Sequence, residues 1–245
     1  MHSHSLLAAG ASLPGRLPPH RHLQHPPGRP RDRPGRRILG RPVPAPRGRG
    51  KDIAASAPPG AVTIIGMQEV LHDQLLDIKA GLGPSWAHVG VARDDGFESG
   101  ENDVAVRDVR PALKGWDAAY TRISTIAVFE HKETGVRWIA ANTHLDNEGP
   151  VARAQGVKFI TSRIRHLQSI WGPLGVSLTG DFNCPPGGEA YETLAADGFF
   201  EELSKRAARK RALWNADKYS VFDNIVNGVY ASDHRAVVGD IRVSV

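Results

Sequence analysis

Four short polar clusters hold most of the residues with which this chain could do chemistry: Gln68-Glu69, the run Asn142 to Asp146, Gly180 to Asn183, and Ser232 to Arg235. Between them they supply carboxylates, two histidines and two asparagines. That inventory suits a hard cation working with acid–base groups on a phosphate ester. Mg²⁺ takes one or two carboxylates, keeps several waters and contacts phosphate oxygens, so few protein ligands are required. The cation neutralises charge that builds on a phosphoryl group. A histidine gives a proton to a leaving oxygen or takes one from water. In the Asp181-x-Asn183 pair, an extended backbone would turn both side chains to one face, one orienting a water and the other donating to a developing oxyanion. Singly, each cluster has an ordinary structural reading. Glu69 fits the first turn of a helix, His144 a buried histidine, Asp181 a loop cap, and Asp233-His234 a turn. Their order, and their position at the ends of predicted strands, is what points to a site.

The elements that must position these clusters follow from hydrophobic periodicity. AVTIIG (61–66) predicts a buried strand, and 68–82 has helical spacing through Val70, Leu71, Leu75, Ile78 and Leu82. A strand is expected over 86–91 and a loop over 94–100. Residues 123–130 and 136–143 alternate as two strands about a KETG turn. A helix is predicted over 150–170, with Val157, Ile160, Ile164 and Leu167 on one face and Pro150 in its first turn. A strand at 176–178, a helix at 189–196 and a final strand at 236–245 complete the set. Strands mixed with helices in this way predict an α/β (α+β, mixed-sheet) class.

Composition sets the limits. The 245 residues are 40% hydrophobic and 23% charged, and no run approaches the roughly 18 apolar residues of a membrane span, which excludes an integral membrane segment. One cysteine, Cys184, excludes an intrachain disulfide framework and a cysteine zinc site, and it fits a reducing compartment. A cytoplasmic location is favoured, with mitochondrial and secreted alternatives. The net charge of +5 divides unevenly. Residues 1–60 carry 11 Lys and Arg against two acids, whereas the remainder carries 20 against 24. The basic character therefore belongs to a segment that also holds 12 of the 18 prolines. Residues 1–60 are read as a disordered Arg/Pro-rich tail and 61–245 as the folded domain. A nucleic-acid or membrane-surface arm is a second reading of the tail. A mitochondrial presequence is a third, opposed by the prolines. The basic run Lys205–Arg211 reads as a solvated helix face. Trp86, Trp116 and Trp171 read as core residues.

Together MQEV (67–70), LGPSWAHVGVARDDG (82–96), KGWDAAYTRI (114–123), NTHLDNEGPVARAQG (142–156), LTGDFNCPPGGEAY (178–191) and SDHRAVVGDI (232–241) carry a family likeness. Across most of 61–245, and nowhere in 1–60, the chain resembles the endonuclease/exonuclease/phosphatase superfamily, in its branch of small metal-dependent hydrolases. The resemblance implies a four-layer αββα sandwich and hydrolysis of a phosphate ester, a phosphodiester ahead of a monoester. It implies Mg²⁺, or alternatively Mn²⁺, with Glu69 as the metal ligand. By the same likeness His144 is the general acid or a phosphate contact. Asp181 positions the attacking water, Asn183 stabilises the transition state, and Asp233 with His234 forms the final pair. Arg122 occupies a position from which family members contact the phosphate. The substrate would be a nucleic acid, a phosphorylated small molecule or a lipid headgroup, and the protein a monomer. Three departures imply an incomplete sandwich. No asparagine precedes Asn102 where the family opens on a T-x-N-[IL]-R strand, the stretch 100–114 is short, and no I-D-[FHY]-[IV]-[FL] strand lies between 200 and 232. They keep open a second reading: an impaired remnant, or a truncated gene model, that binds phosphate or a partner. A third reading, RNA binding through the tail, predicts an affinity that collapses with salt.

Overall fold

Short alternating runs bracketed by turn residues build the central sheet, and a long amphipathic helix crosses over it. A computed structural model describes residues 5–9, 62–92, 102–104, 115–196, 198–203, 214–221, 225–226, 229–230 and 237–243. In chain order its elements are β1 (Ser5–Ala9), β2 (Met67–Val70), α1 (His72–Leu82), β3 (Gly90–Ala92), β4 (Asn102–Val104), β5 (Ser124–Glu130), β6 (Arg137–His144), α2 (Pro150–Trp171), β7 (Gly175–Asp181), α3 (Glu189–Ala195), β8 (Phe200–Glu202), β9 (Trp214–Val221), β10 (Ile225–Val226), β11 (Val229–Tyr230) and β12 (Val237–Val243).

The largest sheet runs β5-β6-β7-β1-β8. β5 and β6 form an antiparallel hairpin through the predicted KETG turn, where Gly135 has φ +68. β6 and β7 are parallel and joined by α2, and β1 lies parallel to both β7 and β8. Odd-numbered residues of β6 face α2. Ile139, Ala141 and Leu145 pack with Val157, Ile160 and Ile164 of the helix and with Val176 and Leu178 of β7. Ile139, Val157, Ile164, Val176 and Leu178 are 0% exposed, and each contributes roughly 1.5–3 kcal/mol of burial. The even-numbered face of β6 looks the other way, toward two small antiparallel sheets, β2-β4-β3 and β9-β12. β2 touches β6 and β7, and β12 touches β1. α1 covers β2 with Leu75 and Ile78. Helices thus lie outside two layers of sheet, one mixed and one antiparallel, the αββα order expected.

Pro150 starts α2 after the N-cap Gly149, and the helix ends at Gly172, whose N–H returns to Gln168 O. The free N–H groups of the first turn are met from a distance. Asp117 accepts from Val151 N at 3.2 Å and Ala152 N at 2.7 Å.

Several expectations are corrected. Residues 62–66 are not a strand, and Val62 and Ile64 are exposed. The strand comes next, at Met67–Val70, and the helix begins only at His72, because 67–70 pairs with β4 and is gripped by the sheet beneath it. The expected strand at 86–91 is β3 at 90–92. Within 1–60, read as a disordered tail, Ser5–Ala9 forms a strand that pairs with β7 and β8. The stretch 200–232, which lacks the I-D-[FHY]-[IV]-[FL] pattern, holds the strands β8, β9, β10 and β11. Trp116 and Trp171 are exposed at 59% and 45% rather than core. The expected loop at 94–100 and the basic run 205–211 lie outside the described residues, as does the 60/61 boundary.

Candidate active site

Parallel pairing of β6 with β7 sets His144 opposite Asp181, each the last residue of its strand. The His144 ring is buried, and its Nε2 lies 3.8 Å from Asp181 Oδ2. On the other side, Nε2 is 3.8 Å from Glu69 Oε1, which reaches in from β2 of the facing sheet. Three residues far apart in sequence thereby meet where the two sheets open. Glu69 is the most accessible of the three, and its backbone has φ +58, a left-handed conformation unusual for a glutamate.

Asn183 sits in a turn rather than on an extended face, with φ +48. Its backbone N–H donates to Asp181 Oδ1 at 2.8 Å, and its Nδ2 donates to Leu145 O at 2.8 Å. The same-face arrangement expected of Asp181-x-Asn183 is therefore replaced by a local turn that pins the aspartate. Phe182 anchors this turn, 1% exposed and edge-on to Tyr191 at 5.3 Å.

Asn142, two residues before His144 on the same face, is buried among polar partners. Gln68 Nε2 donates to its Oδ1 at 2.7 Å, the Thr179 hydroxyl lies 2.9 Å from the same oxygen, and its Nδ2 donates to Met67 O at 2.9 Å.

A second cluster lies on the α2 side of the sheet. Asp146 Oδ1 accepts from the N–H groups of Glu148 and Gly149, and Oδ2 from those of Ala119 and Tyr120. Burial opposes charge on this carboxyl, but the donors of Gly149, Tyr120, Ala119 and Glu148 outweigh it and hold Asp146 well below the usual carboxylate range. Arg122 belongs here, with Nε 3.3 Å from Asp146 Oδ2 and Nη2 donating to Asn147 Oδ1 at 2.7 Å. It lines a cleft with Ile126, Leu145 and Phe159, across the sheet from His144. Arg153, which pairs with Glu189, closes the cluster by donating to Asp146 O at 2.9 Å.

Of the predicted site residues, the fold brings Glu69, His144 and Asp181 together with Asn183 beneath them, and it places Arg122 apart. Asp233 and His234 lie outside the described residues. Asn142 and Asp146 stood inside a predicted polar cluster without roles, and Thr179 and Asp117 were not singled out. Strand alternation put Asn142 on the face of His144, and that signal was available. Among the described residues no three His, Cys, Asp or Glu side chains enclose a metal. Hard oxygen donors at Glu69 and Asp181 nonetheless fit a Mg²⁺ that keeps most of its waters.

No known family model matches the chain, and no curated protein is significantly similar to it in sequence. Solved structures do match. An endonuclease/exonuclease/phosphatase from Bacteroides vulgatus is 28% identical with a TM-score of 0.69, over 82% of this chain and 90% of that one. A mannosyl-6-phosphatase from Bacteroides thetaiotaomicron is 22% identical with a TM-score of 0.66, over 81% and 90%. The catalytic domain of human Nocturnin, solved with a bound sulfate anion, is 19% identical with a TM-score of 0.54, over 81% and 87%. Among the described residues no helix is long and apolar enough to cross a membrane.

Proposed function

We propose that this chain, similar in fold and at 28% identity to an endonuclease/exonuclease/phosphatase, carries out metal-assisted hydrolysis of a phosphate ester, a phosphodiester ahead of a monoester. The observation that carries this reading is the meeting of Glu69, His144 and Asp181 from three strands of two sheets. Glu69 would hold Mg²⁺ or Mn²⁺, which when bound supplies positive charge against the phosphoryl oxygens. His144, flanked by both carboxylates, donates a proton to the leaving oxygen. Asp181 accepts a hydrogen bond from the attacking water and orients it, and Asn183 keeps that carboxylate in place through its own N–H. Burial of the histidine with an exposed glutamate beside it lets a substrate phosphate approach from solvent. The mannosyl-6-phosphatase neighbour and the D. rerio TDP2 solved with a single-strand DNA product suggest sugar phosphates and nucleic acids as the first classes to assay, with lipid headgroups after them.

The test is hydrolysis of bis(p-nitrophenyl) phosphate by the purified protein, with p-nitrophenyl phosphate as the monoester arm, in Mg²⁺, Mn²⁺ and EDTA. Turnover should require the metal and fall by about 10²-fold or more in His144→Ala and in Asp181→Ala. Turnover that survives EDTA, or survives in both variants, overturns the reading. A folded protein inert on both esters favours the impaired remnant.

A further inference from the structure

We propose that Asn142 is a positioning residue for the Glu69 carboxylate and thereby sets the metal affinity of the site; the inference rests on the reading of Glu69 as a metal-holding group. Glu69 lies where its own strand loses its grip. β2 pairs with β4 at Met67↔Val104 and Val70↔Asn102, so three steps along β2 match two along β4, and the register shifts between them. Such an irregularity bends the strand and re-aims the side chains within it. Glu69 sits inside this interval and adopts φ +58, a left-handed conformation that a non-glycine residue keeps only where its surroundings maintain it.

Asn142 supplies the hold from the sheet below. Its Nδ2 takes Met67 O at 2.9 Å and its Oδ1 takes Gln68 Nε2 at 2.7 Å, so both residues immediately before Glu69 are fixed through one amide. The amide is itself fixed: it is 1% exposed, and the Thr179 hydroxyl of β7 lies 2.9 Å from Oδ1. Close approach of the two layers is part of the device. A Cβ on Gly66 would lie 2.3 Å from Thr179 Oγ1 and 2.4 Å from Asn142 Oδ1, so only glycine lets the chain enter β2 so near the amide. Asn142 and His144 project from the same face of β6. One strand therefore carries the ring and, two residues earlier, the group that aims the carboxylate at it.

Mn²⁺ affinity, read from the electron paramagnetic resonance signal of free Mn²⁺, tests this without any need for turnover. Thermal melts run alongside. Glu69→Gln should weaken Mn²⁺ binding most. Asn142→Leu, close in shape but without hydrogen bonds, should weaken it by about tenfold or more, in the range for partners that orient a metal ligand. Gln68→Met, milder and only part-buried, should weaken it severalfold. A purely structural role for Asn142 predicts a lower melting temperature with unchanged Mn²⁺ affinity, and that result overturns the proposal. If Asn142→Leu does not fold, Gln68→Met decides, and parental affinity there overturns it equally. A parent protein that binds no Mn²⁺, or binds it independently of Glu69, refutes the metal reading of the site and the inference with it. Dependence on Glu69 without dependence on Asn142 or Gln68 refutes the inference alone.

Discussion

Replacing Asp146 with asparagine should cost the fold several kilocalories at neutral pH and progressively less in acid. The side chain is 1% exposed and accepts from Glu148 N at 3.0 Å and Gly149 N at 2.8 Å on one oxygen. The other oxygen accepts from Ala119 N and Tyr120 N at 3.1 Å and from Arg122 Nε at 3.3 Å. Asparagine has the same shape but only one acceptor oxygen. Turned to serve the three donors, it faces its NH₂ against the N–H groups of Glu148 and Gly149. Two hydrogen bonds to a charged acceptor are then lost, worth about 1.5–3 kcal/mol each, and the other three weaken, so the expected loss is about 3–6 kcal/mol. The pH dependence has a definite sign. The folded carboxyl is depressed below its ordinary value of 3.8, so its stabilisation is complete above that value and is lost as pH falls toward the depressed one. Urea unfolding of both proteins at pH 7, 5 and 3 measures the gap between them. It should be equal at pH 7 and 5 and smaller by about 1 kcal/mol at pH 3, since each unit of pH in that window is worth about 1.4 kcal/mol. A gap below about 1 kcal/mol at pH 7 would refute the hydrogen-bond reasoning, and an undiminished gap at pH 3 would refute the electrostatic part.

Gly180→Ala should destabilise by about 2–6 kcal/mol, because its Cβ would lie 2.0 Å from Thr143 O at a φ of +151. An unchanged urea midpoint would show that β6 and β7 do not approach so closely. Leu178→Ala, at a fully buried position beneath α2, should cost about 2–5 kcal/mol by calorimetry or urea, and a loss under 1 kcal/mol would contradict a tight core there. Asp117→Ala removes the acceptor for Val151 N and Ala152 N and should cost about 0.5–2 kcal/mol. Equal stability of the two proteins would mean that water satisfies the start of α2 as well as the carboxylate does.

The parts of the fold that could be read from the sequence are those whose signals are local. The β5–β6 hairpin alternates about a KETG turn, and α2 repeats apolar residues behind a proline. Both appear within a residue or two of expectation because local pattern and tertiary burial agree. The strand 67–70 was hidden for the opposite reason. Val70 and Leu75 fit a helical stripe, and the extended state of 67–70 is imposed by β4 and by Asn142, neither near in sequence. Ser5–Ala9 has five residues and no periodic partner nearby, and what selects it is a slot between β7 and β8. WNADKYSV of β9 mixes polar with apolar residues and takes its strand form from a full-length pairing with β12. At the site, Glu69, His144 and Asp181 were legible as residue types at strand ends. The bent backbone at Asn183 was not, because a left-handed turn there depends on Leu145 O and Asp181. The phosphate role of Arg122 came from the family resemblance alone, and its pairing with Asp146 and Asn147 needs the fold to be seen.

The ladder between β6 and β7 carries two missing side chains five residues apart. Gly175 lies against the Trp138 ring, where a Cβ would come within 2.0 Å of it, and Gly180 lies against the Thr143 carbonyl. Sliding β7 by one residue in either direction would push a real side chain into both gaps at once. It would also break the opposition of His144 and Asp181, since a one-residue slip turns every side chain to the other face. The pairing that makes the site is thus the one that the two strands can close around.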